Sequence, residues 1–147
     1  MNVAGSTIPF SNHIKLLGVT LDSNLKFDQH TTALSKPCFF HIRALRHIRP
    51  VLTDDAARTT AASLVGSRLD YANSILYGST KHNVARVQRI QNALAKVVIG
   101  SCPTDNSNSR LQALHWLPIK YQIQYKLAVL TFNAALQLPP LPLLSNQ

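Results

Sequence analysis

A mainly helical fold, with four to five helices behind a short N-terminal β-strand or hairpin, is what the sequence predicts. Three observations carry this. The strand-like run Ile14-Lys15-Leu16-Leu17-Gly18-Val19-Thr20-Leu21 stops at Asp22-Ser23-Asn24, and no second strand pattern follows it. From Phe27 onward apolar residues recur at helical rather than alternating spacing. The breaks between these periodic stretches hold the residue types that start and stop helices. The chain has 147 residues, 46% of them hydrophobic, enough for one modest core. The expected organisation is a strand or hairpin over residues 1–24, a helical region over 25–136, and a Pro/Leu-rich tail over 137–147 without regular structure.

The first helix is expected from Phe27 to Arg49, on the spacing of Leu34, Cys38, Ile42 and Leu45. Pro37 lies inside it and is expected to kink or split it near Lys36, because proline removes a backbone hydrogen bond and crowds the preceding turn. Thr53, followed by Asp54 and Asp55, supplies an N-cap and two acids at the positive end of a second helix. That helix is expected from Asp54 to about Arg68, with Ala57, Ala61, Leu64 and Val65 on one side. Gly78-Ser79-Thr80 offers a turn and a cap for a third helix, Lys81 to Ile99, closed by Gly100.

The third helix is the most regular. At about 100° per residue, Val84, Val87, Ile90, Leu94, Val97 and Val98 share one arc, and His82, Arg86, Arg89 and Lys96 share another. After the polar loop "SCPTDNSNS" come a short helical segment around Leu111 to Trp116 and a last helix from Pro118 to about Leu136. Its expected apolar stripe is Ile119, Ile123, Leu127, Leu130 and Ala134.

Charge gives the positive functional signal. Fifteen Lys and Arg face six acids, all Asp, for a net charge of +9. An imbalance of this size points to a polyanion, nucleic acid first and an anionic membrane surface second. The cations fall on helix faces: His82, Arg86, Arg89 and Lys96 on the third helix, and Lys36, Arg43, Arg46, His47 and Arg49 on the first. Rows of cations on rigid helices contact successive phosphates with salt-dependent affinity. A solvated basic face without a partner is the alternative reading.

Catalytic chemistry finds little to work with. The sequence has no Walker A loop, GxGxxG, HExxH or GxSxG motif, and Asp70 beside Tyr71 reads as a cap or ion-pair partner. The six histidines form no i, i+4 pair, and Cys38 and Cys102 belong to no metal-binding spacing. No catalytic residue, metal or cofactor is therefore assigned. Trp116 reads as a core anchor; Tyr121 and Tyr125 read as half-buried, with base stacking as the alternative. The start lacks a secretory pattern. The stretch Leu127 to Leu144 is broken by Thr131, Asn133, Gln137 and prolines. An intracellular chain with no membrane segment is the expectation.

Four stretches together, "IKLLGVTLDSNLKFDQH", "RLDYANSILYGS", "ARVQRIQNALAKVV" and "LQALHWLPIKYQIQYKLAVLTFNAAL", resemble the downstream part of reverse transcriptases of non-LTR (LINE-type) retrotransposons, of the chicken-repeat-1-like and Jockey-like kinds. The resemblance runs in order from about Ile8 to Leu136. It implies that "LGVTLD" is the last strand or hairpin of a palm domain, and that the helices behind it are thumb-like. The palm and fingers, with the catalytic aspartates, would lie upstream; "LDYANS" does not match their motif. By this likeness Lys15, Leu17 and Gly18 match the strand motif near the primer, and Arg86, Arg89 and Lys96 match a thumb segment along the template-primer duplex. The nucleic-acid-binding set expected from charge and resemblance together is Lys15, Gly18, Arg43, Arg46, His82, Arg86, Arg89 and Lys96. Two departures, Pro37 and the ending "LQLPPLPLLSNQ", point to a degraded or truncated transposon copy. Other readings are a free-standing basic helical module that binds a protein, and a product with no function.

Overall fold

Leu17 and Gly18 both adopt positive φ, 47° and 80°, the signature of a two-residue type I′ turn. That turn folds the opening strand-like run back on itself. A computed structural model describes residues 2–3, 6–7, 11–100 and 106–137 of the chain; the expected tail falls almost wholly outside these, as do Cys102 and Asp105. Two short strands, β1 (Asn2–Val3) and β2 (Ser6–Thr7), pair antiparallel. Strands β3 (His13–Leu16) and β4 (Val19–Asp22) then form the antiparallel hairpin, with Ile14 opposite Leu21 and Leu16 opposite Val19. One run in the sequence thus becomes two strands, because the turn takes only two residues.

The Asp22 carboxylate ends β4 and redirects the chain. It accepts the backbone N–H groups of Lys26 (3.0 Å), Phe27 (2.8 Å) and Asn24 (3.1 Å). These bonds, that of Lys26 foremost, hold its carboxyl below the usual range. Helix α1 (Asp28–Ile48) follows and runs unbroken past Pro37. The helix is not split near Lys36. The proline costs the bond that Ala33 C=O would accept, but Ala33 and Pro37 both line an open cleft, where water reaches the freed group.

A 3₁₀ turn over Arg49–Val51 leads to α2 (Asp54–Ala61), capped as expected by Thr53, whose hydroxyl accepts from Ala56 N–H at 3.3 Å. A π-helical turn, Ala62–Gly66, passes straight into α3 (Ser67–Asp70). The buried positions here are Ala57, Ala61, Val65 and Leu69, each four residues from the last. In an α-helix such a series drifts about 40° per step. The wider π turn restores the phase and keeps all four inward. It also turns Leu64 outward, to 39% exposure, against the expected placement.

A 3₁₀ turn, Asn73–Leu76, precedes the central helix α4 (Lys81–Ile99), whose ends match the expected ones. Thr80 caps it, accepting from Asn83 N–H, and Gly100 closes it at φ 92°. Helix α5 (Ser107–Ala113) begins at the Asn106 cap and stops before the expected Trp116. His115 takes φ 55°, its N–H bonds Gln112 C=O at 2.9 Å, and Trp116 N–H bonds Leu111 C=O at 2.8 Å. This pair of bonds is the Schellman closure, made here without glycine.

Helix α6 (Ile119–Gln137) starts on α4, where Gln88 Oε1 accepts Ile119 N–H and Gln91 donates to Leu117 C=O, each at 2.9 Å. Only Ile119 and Ile123 are buried. Leu127 is half-buried, and the expected stripe beyond it is exposed: from residue 128 to 137 every side chain is open to solvent. The core lies where Cys38, Ile42 and Leu45 of α1, Val65 of the π turn, Leu69 of α3, and Val87, Ile90, Leu94 and Val98 of α4 meet. Leu111 and Ile119 seal one end. The chain is thus mainly α, with a short N-terminal hairpin and a helical bundle, as the sequence predicts.

Candidate nucleic-acid interface

Helices α1 and α4 lie side by side and run the same way. Near their starts, Arg86 donates to Asp28 C=O and Thr32 Oγ1; near their ends, Arg49 Nε donates to Val98 C=O at 2.9 Å. On the flank of α1 that Arg86 reaches, Thr32, Lys36, Phe39, Arg43 and Arg46 recur at steps of four and three. On the facing flank of α4, His82, Arg86, Arg89, Ala93 and Lys96 recur at the same steps. Such a spacing keeps each row on one side of its helix. The two rows therefore border one groove, and at its far end Arg46, Arg49 and Lys96 enclose a cavity of about 390 Å³ with Pro50, Val97 and Gly100.

Lys36, Arg43, Arg46, Arg89 and Lys96 are exposed along this groove and enter no ion pair among the described residues. From Lys36 to Arg46 the α1 row spans about 15 Å. Helix α4 contains no acid and α1 only Asp28, at its first residue. The field over the groove is consequently positive along its length. Phe39, 38% exposed, sits in the α1 row between Lys36 and Arg43. An aromatic ring among cations is suited to base stacking. Neither Phe39 nor the pairing of the rows was assigned from sequence, though the 36-39-43-46 spacing carried the signal.

Arg86 behaves differently from its neighbours. Its Nη1 lies 2.8 Å from Thr31 Oγ1 and 3.3 Å from Asn83 Oδ1, and its Nη2 lies 2.9 Å from His82 Nε2. Asn83, fully buried, donates to Lys26 C=O at 2.7 Å and accepts from Thr31 at 2.8 Å. Arg86 is thus committed to joining α4 to α1, and His82 is turned onto it. Arg49 is similarly used, bonding Leu52 C=O and pairing with Asp54.

Lys15 and Gly18 stand apart from the groove, on the hairpin at the opposite flank of α1, where a second cleft opens. The expected set therefore divides in three: Arg43, Arg46, Arg89 and Lys96 in the groove, Arg86 with His82 in the helix joint, Lys15 and Gly18 at the hairpin. Burial pushes the Cys38 thiol up to about 11, against the opposing pull of Arg68, which leaves it unreactive at neutral pH. Among the described residues no three metal-ligating side chains gather, and no helix is long and apolar enough to cross a membrane. Tyr121 and Tyr125 are 52% and 67% exposed, more open than expected. Compared with known proteins, the chain matches no family model, no curated protein and no solved structure.

Proposed function

We propose that the chain is the palm-end hairpin and helical thumb-like part of a LINE-type retrotransposon reverse transcriptase, binding an RNA–DNA template-primer duplex through the α1/α4 groove. The observation that carries the reading is the meeting of two cation rows on one face of α1 and α4, two helices whose one acid is Asp28 at the start of α1. Contacts of this kind go to phosphates, so the binding is strong at low salt and indifferent to sequence. The resemblance of "LGVTLD", "QRIQN" and "LHWLPI" to that family supplies the substrate class.

The hairpin supports the same reading. Its apolar face comprises Ile14, Leu16, Val19 and Leu21; Val19 is buried and Leu21 half-buried, but Ile14 and Leu16 remain 63% and 56% exposed. The outward edge of β3 and half of this face are left for a further sheet, as the palm would provide. Polymerase chemistry is assigned to that upstream part. It needs carboxylates that hold two metal ions, whereas Asp54 pairs with Arg49, Asp70 with Lys126, and Asp22 caps its own loop.

A second reading, a free-standing module that binds a protein, is favoured by one observation: Leu130, Phe132 and Leu136 of α6 are at least half exposed. The deciding experiment is binding of the purified chain to a fluorescent RNA–DNA hybrid at two salt concentrations, with R89A/K96A in parallel. Salt-sensitive binding that weakens in the double variant supports the groove. Absence of binding by the folded chain, or binding that R89A/K96A leaves intact, overturns it. In a primer-extension assay with magnesium the chain incorporates no nucleotide; incorporation would refute the assignment of chemistry to an upstream part.

A further inference from the structure

On the flank of α1 away from the groove, the hairpin, α1 and α3 enclose a cleft of about 540 Å³ bordered by Lys15, Thr20, His30, Ser67, Arg68 and Tyr71, with Leu34 and Pro37 as an apolar wall. Its volume is in the range of small-molecule sites. Among the described residues no carboxylate borders it.

The groups that do border it are donors. His30 is only 8% exposed, and its Nδ1 accepts Thr20 N–H at 3.4 Å. The neutral ring therefore carries its proton on Nε2, which has no protein partner among the described residues. Burial lowers the affinity of this imidazole for a second proton, so it acts as a neutral donor. Arg68 spends Nε on Leu64 C=O at 3.1 Å, and its terminal nitrogens make no hydrogen bond or ion pair among the described residues. Lys15, exposed on β3, makes no ion pair among the described residues. Tyr71 fixes the mouth: its hydroxyl donates to Leu17 C=O at 2.7 Å, and its ring lies 3.7 Å from where a side chain on Gly18 would begin.

Two cations and a buried imidazole N–H thus converge from β3, α3 and α1 on one space, where the groove cations instead lie in rows. Convergence suits a single, multiply charged group, and rows suit a polymer backbone. The geometry points to a binding site for one phosphate group, either free phosphate or the phosphate of a small ligand such as a nucleoside monophosphate. The site is separate from the α1/α4 groove and does not depend on the function proposed for it.

The test is an amide-resolved NMR titration of the full chain with inorganic phosphate, AMP and adenosine. The expected result is saturable shifts at Gly18, Thr20 and Arg68 with phosphate and AMP and none with adenosine. Exchanging both exposed cations, K15Q/R68Q, weakens binding about tenfold or more, and R89A/K96A binds phosphate as the unaltered chain does. K15Q alone replaces the pair if the pair disturbs the amide spectrum. AMP tighter than phosphate assigns a nucleotide; equal affinity assigns phosphate alone. Shifts that do not saturate, an equal response to adenosine, or full affinity in the cation variants would overturn the site. A chain that loses hybrid binding in R89A/K96A but keeps the phosphate response separates this site from the groove.

Discussion

Two arginines three residues apart on α4 differ in what they touch, and alanine separates their roles. Arg86 Nη1 lies within 2.8–3.3 Å of four oxygens: Thr31 Oγ1, Thr32 Oγ1, Asp28 C=O and Asn83 Oδ1. One amino group has two protons, so about two of these bonds are strong at a time. Each is charge-assisted and worth roughly 1.5–3 kcal/mol when buried, and the partial exposure of Arg86 discounts that through solvent screening. R86A should therefore cost about 2 kcal/mol. For a chain of this size that is a fall in Tm of about 4–8 °C by calorimetry or circular dichroism. Arg89 is exposed and makes no hydrogen bond or ion pair among the described residues, so R89A should stay within about 0.5 kcal/mol of the parent. The order reverses in hybrid binding. R89A should weaken it and reduce the salt slope by about one, as the loss of one phosphate contact requires, while R86A below its Tm should bind normally. If R86A melts like the parent and loses as much affinity as R89A, Arg86 is a phosphate ligand and the division of labour on α4 is wrong.

Other substitutions test other parts. L17N places the favoured Asn-Gly pair in the I′ turn and removes leucine from a left-handed conformation, so it should raise stability by about 1 kcal/mol in urea melts. G18A should lower it by about 1–2 kcal/mol, entirely through the backbone, since the new methyl would sit at ordinary contact distance from Tyr71; a larger loss would mean that the contact is tight after all. Burial lowers the pKa of His30 below its ordinary 6.5, so the unfolded chain takes up a proton that the folded one refuses. This contribution is complete above about pH 6.5 and is lost as pH falls through the folded value. Tm should thus decline more steeply with acid in the parent than in H30Q, and parallel curves would exclude His30 as the cause. F132S/L136S should leave Tm unchanged and reduce self-association in sedimentation; unchanged association would place the sticky surface elsewhere.

The helical framework was legible because its signals are local. Thr53 and Thr80 cap the helices they were expected to cap, Gly100 closes α4, and the Val87-Ile90-Leu94 arc is buried. What escaped depended on the surroundings. Pro37 is a strong break signal, but its cost falls where the helix faces an open cleft. Leu64 has the right spacing for burial in an α-helix, and a π turn with no evident sequence mark moves it out. Leu130 and Ala134 continue a good stripe on α6, yet no element among the described residues stands opposite them. At the site, composition and spacing located both cation rows but could not show that α1 and α4 run parallel and side by side. Nor could spacing reveal that Arg86 is consumed by the joint.

The placement of the acids explains how the surplus of cations can act on one face. Asp22 accepts three backbone N–H groups, Asp28, Asp54 and Asp55 stand in first turns, and Asp70 pairs with Lys126 on the α6 side. Each is spent where a helix start, a loop or a neighbouring lysine needs a negative charge. The short side chain of aspartate keeps that charge local; a glutamate would reach further across a helix face. With no glutamate in the chain, the one acid on α1 and α4 is Asp28, at the start of α1. Among the described residues the groove's five exposed cations enter no ion pair, a condition that favours release of solvent ions when a phosphate backbone binds. Introducing Glu at Ala93, between Arg89 and Lys96, should accordingly weaken hybrid binding more than Glu at exposed Ala135 of α6, with both variants assayed well below their Tm because Ala93 packs partly against the core. Equal losses at the two positions would mean that the net charge, and not the groove, governs binding.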